Sequence, residues 1–250
     1  MYASNEYTAL RVLVDRGEIH PAIQQMSDLL ARISVFEEPD LFNLRQQGSP
    51  AFDDVQLHGR GQNVLSVLRR WQQDSQLKSR FDFVTQGLQA AFPSVKQIDF
   101  VGVGNWLTAR IYREGVEQPA PLANEANGLL QMLVLLANVA QSNPGGLVAI
   151  DEPEMAFIHA MRMFLRSCQQ WALKYRVTFV LATHSLVLLD EFTDTPEAVF
   201  VMKALEGGRQ RSAQFTLIIY AIETGYRDSS WATCTSKEKL AATMMGCEHG

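Results

Sequence analysis

A chain of 250 residues is long enough for one α/β domain with a sizeable core, or for two small ones. With 47% hydrophobic and 20% charged residues it has an ordinary globular composition, and a net charge of −5 provides no field that would by itself gather nucleic acid. Any DNA contact must therefore come from a local patch.

Three cysteines, Cys168, Cys234 and Cys247, show no metal-type spacing, and a reducing cytosol is the simplest reading. The opening Met1-Tyr2-Ala3-Ser4-Asn5-Glu6 has no signal-peptide pattern, so a cytoplasmic location is expected. Ala126 to Ile150 carries no charge, but its truly apolar part, Leu129 to Ala140, is too short to cross a bilayer. A buried helix, a turn at Pro144-Gly145-Gly146 and a strand are expected there instead, with no membrane partner.

In chain order, Glu18 to Ile33 predicts an amphipathic helix, with Ile23, Met26, Leu29, Leu30 and Ile33 at three- and four-residue spacing. Glu37 to Gln56, with Pro39, Gly48, Ser49 and Pro50, reads as mostly loop. His58-Gly59-Arg60-Gly61 is a turn: it follows no convincing strand and contains no Lys-Ser or Lys-Thr. Asn63 to Gln73 and Gln76 to Phe92 predict two helices, the first capped near Gln62 or Asn63 and the second ended by Pro93. Arg69-Arg70-Trp71 with Arg80 is either a small basic surface beside an aromatic or an ordinary solvated helix face.

Val95 to Val103 and Trp106 to Tyr112, separated by Gly104-Asn105, predict a β-hairpin. The pattern then becomes helix 128–141, strand 147–150, helix 156–173, strand 177–182, helix 186–191 and strand 198–202. This is the alternation of a parallel sheet in an α/β fold. Ala213 to Tyr220 adds a last strand, and the tail beyond Ile222 has no clear periodicity or motif. Residues 1–122 thus form a helical segment with a hairpin, 123–205 an α/β core and 206–250 a terminal strand and tail, all within one compact domain.

Chemistry concentrates in Leu147-Val148-Ala149-Ile150-Asp151-Glu152-Pro153-Glu154. A buried strand delivers Asp151 to the carboxyl edge of a parallel sheet, where open α/β folds place their ligands. There Asp151 can hold Mg²⁺ and Glu152 can polarise a water; the alternative is a solvated acidic turn. Missing from all 250 residues is a Gly-Lys-Ser or Gly-Lys-Thr phosphate loop.

Three segments, in order, resemble the ABC-type ATPases of the RecF-like and OLD-like group, relatives of the SMC proteins. Asn124-Glu125-Ala126-Asn127-Gly128-Leu129-Leu130-Gln131 stands where that family keeps its signature motif. Gly146 to Glu154 is similar to its Walker B strand with the catalytic glutamate, and Leu181-Ala182-Thr183-His184-Ser185 to its switch-histidine loop. The resemblance implies a P-loop NTPase fold, ATP and Mg²⁺ as cofactors, Asp151 at the metal, Glu152 as base or water-orienting residue, and His184 at the γ-phosphate. It also implies phosphate contact by Asn127 and Gly128 at a helix start.

His184 has the alternative of capping the following helix, and Asn127 that of an ordinary cap. The chain departs from the family in two places. The signature serine is replaced by Ala126-Asn127, and a usual His-Pro pair by Ile158-His159-Ala160. Because the resemblance begins partway through the family's fold, near residue 28, the chain is expected to be inactive alone and to need a homodimer or a Walker A-bearing partner. DNA and a separate nuclease are further family-implied partners, in repair or phage defence. Loss of the Walker A strand is expected to leave the edge beside the strand ending at Ala182 open. A second encoded half, another copy or nothing would cover it. The rival reading is a non-catalytic scaffold or a truncated pseudo-ATPase.

Overall fold

The computed structural model describes residues 21–52, 54–153, 158–206 and 209–220. Among the described residues the first helix, α1 (Pro21–Leu30), leads into strand β1 (Ile33–Phe36). Helix α2 (Leu41–Gln47) and strand β2 (Ser49–Pro50) follow within the segment expected to be loop. The helix is started by Asp40, whose carboxylate accepts from the Asn43 backbone N–H at 3.1 Å. That bond first, and the Asn43 side-chain amide second, hold the Asp40 carboxyl below its usual range.

Gly48 ends α2 at φ +79°, and a Cβ there would lie 2.2 Å from the Leu107 carbonyl oxygen. Replacing Gly48 by Ala therefore combines backbone strain with a collision against main chain. We expect it to cost about 3 kcal/mol or more in urea denaturation; a cost below about 1 kcal/mol would show that the main chain at Leu107 yields easily.

Helices α3 (Val64–Gln73) and α4 (Lys78–Ala91) match the expected pair. Asn63 occupies the cap position of α3, but its side chain serves the preceding turn. It accepts from the His58 N–H and donates to Asp54 and to the Gln56 carbonyl. The His58–Gly61 segment is a turn closed by a 2.8 Å backbone bond.

Trp71 is fully buried, with the Arg80 guanidinium 5.7 Å from its ring centroid. A stacking platform for nucleic-acid bases at Trp71 is thereby ruled out. Burial lowers the pKa of Arg80, whose Nη1 donates to the Gln141 carbonyl.

Strands β3 (Val95–Val103) and β4 (Trp106–Arg113) form the expected hairpin, and β2 and β5 (Ala120–Pro121) pair antiparallel with β4. Helix α5 (Asn127–Gln141) is buried at every position from Leu129 to Ala140, as its charge-free sequence requires. Gly87 on α4 permits close approach to it, since a Cβ there would stand 2.9 Å from both Leu136 methyls.

After α5 come β6 (Leu147–Asp151), α6 (Ile158–Tyr175), β7 (Thr178–Thr183), α7 (Leu186–Asp190), β8 (Val199–Glu206) and β9 (Arg209–Tyr220). Their sheet has the order β1-β6-β7-β9-β8. Strands β1, β6 and β7 are parallel, with Phe36 opposite Ile150 and Ile150 opposite Leu181. The fold is thus α/β, with three parallel strands, β1, β6 and β7, in a five-stranded sheet flanked by helices.

Two expectations need correction. First, the parallel pattern stops at β7: β9 pairs antiparallel with β7, and β8 antiparallel with β9. A short connection between consecutive strands returns the chain beside itself, whereas another parallel neighbour would need a longer crossover. Secondly, the edge of β7 is not open, because residues 216–220 of the same chain pair with 179–183. The tail beyond Ile222 lies outside the described residues, as does the start of the helix expected from Glu18. No helix among the described residues is long and apolar enough to cross a membrane.

Candidate functional site

Strands β6 and β7 run in register, Asp151 opposite Ala182, so their carboxyl ends emerge side by side. Along both strands burial alternates. Val148, Ile150, Phe179, Leu181 and Thr183 turn into the core, which pins the register, because a one-residue slip would expose all of them. Asp151 is consequently exposed at the end of β6.

Glu152 has φ +45°, a left-handed conformation costing about 1–2 kcal/mol for a residue with a Cβ. It is held there by its own N–H, which donates to the Ala182 carbonyl at 2.9 Å, and by buried Pro153 beyond it. The turn carries the Glu152 carboxylate toward the end of β7. There His184 Nδ1 lies 2.9 Å from Glu152 Oε1.

His184 does not cap α7. That task falls to Ser185, whose hydroxyl accepts from the Leu188 N–H. With Nδ1–H directed to the carboxylate, the ring keeps Nε2 for another partner. Both side chains remain accessible, His184 at 68% and Glu152 at 35% of full exposure. A carboxylate and an imidazole so paired can orient a water and hold or pass a proton.

No group of three or more His, Cys, Asp or Glu that could hold a metal exists among the described residues. The exposed carboxylate of Asp151 could supply one ligand to Mg²⁺. That ion commonly uses one or two protein carboxylates and completes its shell with substrate phosphates and water.

Asn127 and Gly128 open α5, and no hydrogen bond among the described residues joins their side chains to Glu152 or His184. The link is one turn further on, where buried Gln131 donates from Nε2 to the Pro153 carbonyl at 3.4 Å. Asn127 is no ordinary cap: Ala126 holds the cap position, and Asn127 Oδ1 accepts instead from Arg45 Nη2 at 2.6 Å. Arg45 Nη1 also donates to the Ala123 carbonyl at 2.9 Å. From the other side Arg113 on β4 pairs with Glu125, which is only 5% exposed, and also bonds Ser94.

These two arginines escaped sequence reasoning for different reasons. Arg45 sits on a helix whose only local signal is Asp40 before Leu41 and Leu44, and its partner is 82 residues away. Arg113 ends a strand, where nothing local announces a pairing with Glu125.

Arg113→Met should leave a buried carboxylate unpaired and destabilise the fold by about 3 kcal/mol. Combining it with Glu125→Leu should recover most of that loss in the same urea titration. Equal stability of the single variant and the parent would show that water already compensates Glu125.

No protein-family model matches the chain, and no curated protein matches it in sequence.

Proposed function

We propose that this chain is one lobe of an ABC-type ATPase of the RecF-like and OLD-like kind, a partial P-loop NTPase core that needs a phosphate-binding loop from another chain. The observation that carries this reading is the meeting of Glu152 and His184 at 2.9 Å beside Asp151, on the carboxyl edge of two parallel strands. Asp151 would hold Mg²⁺, which neutralises charge on the phosphates. Glu152 would orient and deprotonate the attacking water, and His184, with Nδ1 facing Glu152, would meet the terminal phosphate through Nε2.

The sheet's second face supports a missing partner. Parallel sheets bury both faces, yet Ile33 is 39% and Val35 66% exposed, and Leu147, Ala149, Val180 and Ala182 on the same side are only half-buried. A phosphate-binding half seated there would cover them and bring its loop to Asp151. A DNA-related task in repair or phage defence rests on the resemblance alone.

One observation favours a second reading, a non-catalytic scaffold. Strand β9 occupies the edge of β7 that the family gives to the Walker A strand, so hydrolysis requires the partner to displace β9 or to approach from the open face.

Phosphate release from MgATP separates the readings. The ATPase reading expects background release by the purified chain, and release well above both components once a phosphate-loop-bearing chain encoded beside it is added. No gain on mixing, with no MgATP binding by the mixture, would favour the scaffold.

A further inference from the structure

Two of the arginines around Trp71 have partners. Arg80 lies by the Trp71 ring and bonds the Gln141 carbonyl, and Arg70 pairs with Asp74 at 3.7 Å. Arg69, half-buried beside them on α3, makes no hydrogen bond or ion pair among the described residues. A guanidinium drawn partly out of water without a partner costs free energy that nothing in the fold offsets.

A second unpartnered guanidinium borders the same space. A cavity of about 300 Å³ lies between α3 and the β3–β4 hairpin, and Arg69 and Arg110 both line it. Arg110 stands directly opposite Asp99 in the hairpin register, where side chains of opposite charge ordinarily pair. Here no ion pair joins them. The Asp99 carboxylate accepts instead from Gln97 Nε2, and its hydrogen bond with Tyr112 raises the pKa of the phenol.

The cavity therefore offers two cationic forks, while its one carboxylate is engaged by strand neighbours. Two arginines and one aspartate leave a single net positive charge, which a monocarboxylate neutralises and a phosphate dianion would overshoot beside Asp99. A guanidinium meets a carboxylate through two parallel N–H donors. Phe100 and Val101, both half-buried, line the same cavity and suit an apolar group next to that carboxylate.

We propose that this cavity binds a small amphiphilic monocarboxylate, with its carboxylate on Arg69 and Arg110 and its apolar part against Phe100 and Val101. The site shares no residue with the Glu152–His184 pair and does not depend on the ATPase reading.

The test uses the full ¹⁵N-labelled chain, with the Arg69 and Arg110 Nε–H signals identified by their loss in Arg69→Met and Arg110→Met. Sodium phenylacetate, sodium acetate and sodium phosphate are titrated separately at constant ionic strength, so that general screening is the same throughout. Phenylacetate should move both signals with a Kd of about 1 mM. Acetate, which lacks the apolar part, should bind about tenfold more weakly, and phosphate should also bind more weakly than phenylacetate. Each methionine variant should weaken phenylacetate about tenfold at the arginine that remains, the loss of one charge-assisted contact. Lys96→Met, on the same hairpin, should leave the affinity unchanged. Arg69→Gln and Arg110→Gln serve as second truncations if the methionine variants do not fold.

Phenylacetate that moves neither signal, or that binds both truncations as it binds the parent, would overturn the site. Tighter binding of phosphate than of phenylacetate would overturn the choice of a carboxylate. Tighter binding of the blocked dipeptide acetyl-Phe-Glu-amide would overturn the small-molecule assignment and give the cavity to an acidic residue of a partner protein.

Discussion

Glu152→Gln is expected to lower ATP turnover by the complemented complex about 10²–10⁴-fold, the usual contribution of a positioned general base. The amide is nearly isosteric, and His184 can still present Nδ1–H to its oxygen, so the turn and the MgATP affinity should change little. What is lost is the ability to take a proton from water. Single-turnover phosphate release measured beside nucleotide binding separates the two effects. A variant that binds and turns over normally would remove Glu152 from the reaction. A variant that fails to bind would mean that the carboxylate is chiefly structural, holding His184 at the end of β7.

The largest expected stability effect is at Trp171. Its ring lies 4.4 Å from Phe83 and 4.3 Å from Tyr175 between centroids, and its Nε1 donates to the Ser142 hydroxyl at 2.9 Å. One side chain thus joins α6 to α4 and to the turn that feeds β6. Trp171→Ala should cost about 3–5 kcal/mol, by transfer and cavity together. Trp171→Phe keeps much of the packing and should lose about 1 kcal/mol for the hydrogen bond. Urea denaturation followed by far-UV circular dichroism reads both. Equal losses in the two variants would assign the effect to the Ser142 bond rather than to packing.

Legibility in the sequence followed the range of the forces involved. Helices α3, α4 and α5, the β3–β4 hairpin and the β6–α6–β7 unit were readable because each is dictated by periodicity, a turn dipeptide or a breaker within a few residues. Segment α2 was missed because a seven-residue helix offers barely two turns of pattern. The spacing of Leu29, Leu30 and Ile33 predicts the end of a helix where strand β1 begins. Its strand state comes from pairing with Leu147 to Ile150, more than a hundred residues later.

The candidate site divides in the same way. Asp151, Glu152 and His184 were found because each ends an apolar run, and a parallel sheet brings such ends to one edge. By itself, then, the sequence determined the strands, the carboxylates and imidazole at their ends, and the absence of a Gly-Lys-Ser or Gly-Lys-Thr loop. Only the tertiary structure decided that β9 closes the edge of β7 and that His184 bonds Glu152 rather than capping α7. It also decided that Arg45 and Arg113 grip the start of α5. Those outcomes depend on pairings across tens of residues, where the energy lies in contact geometry that no local pattern encodes.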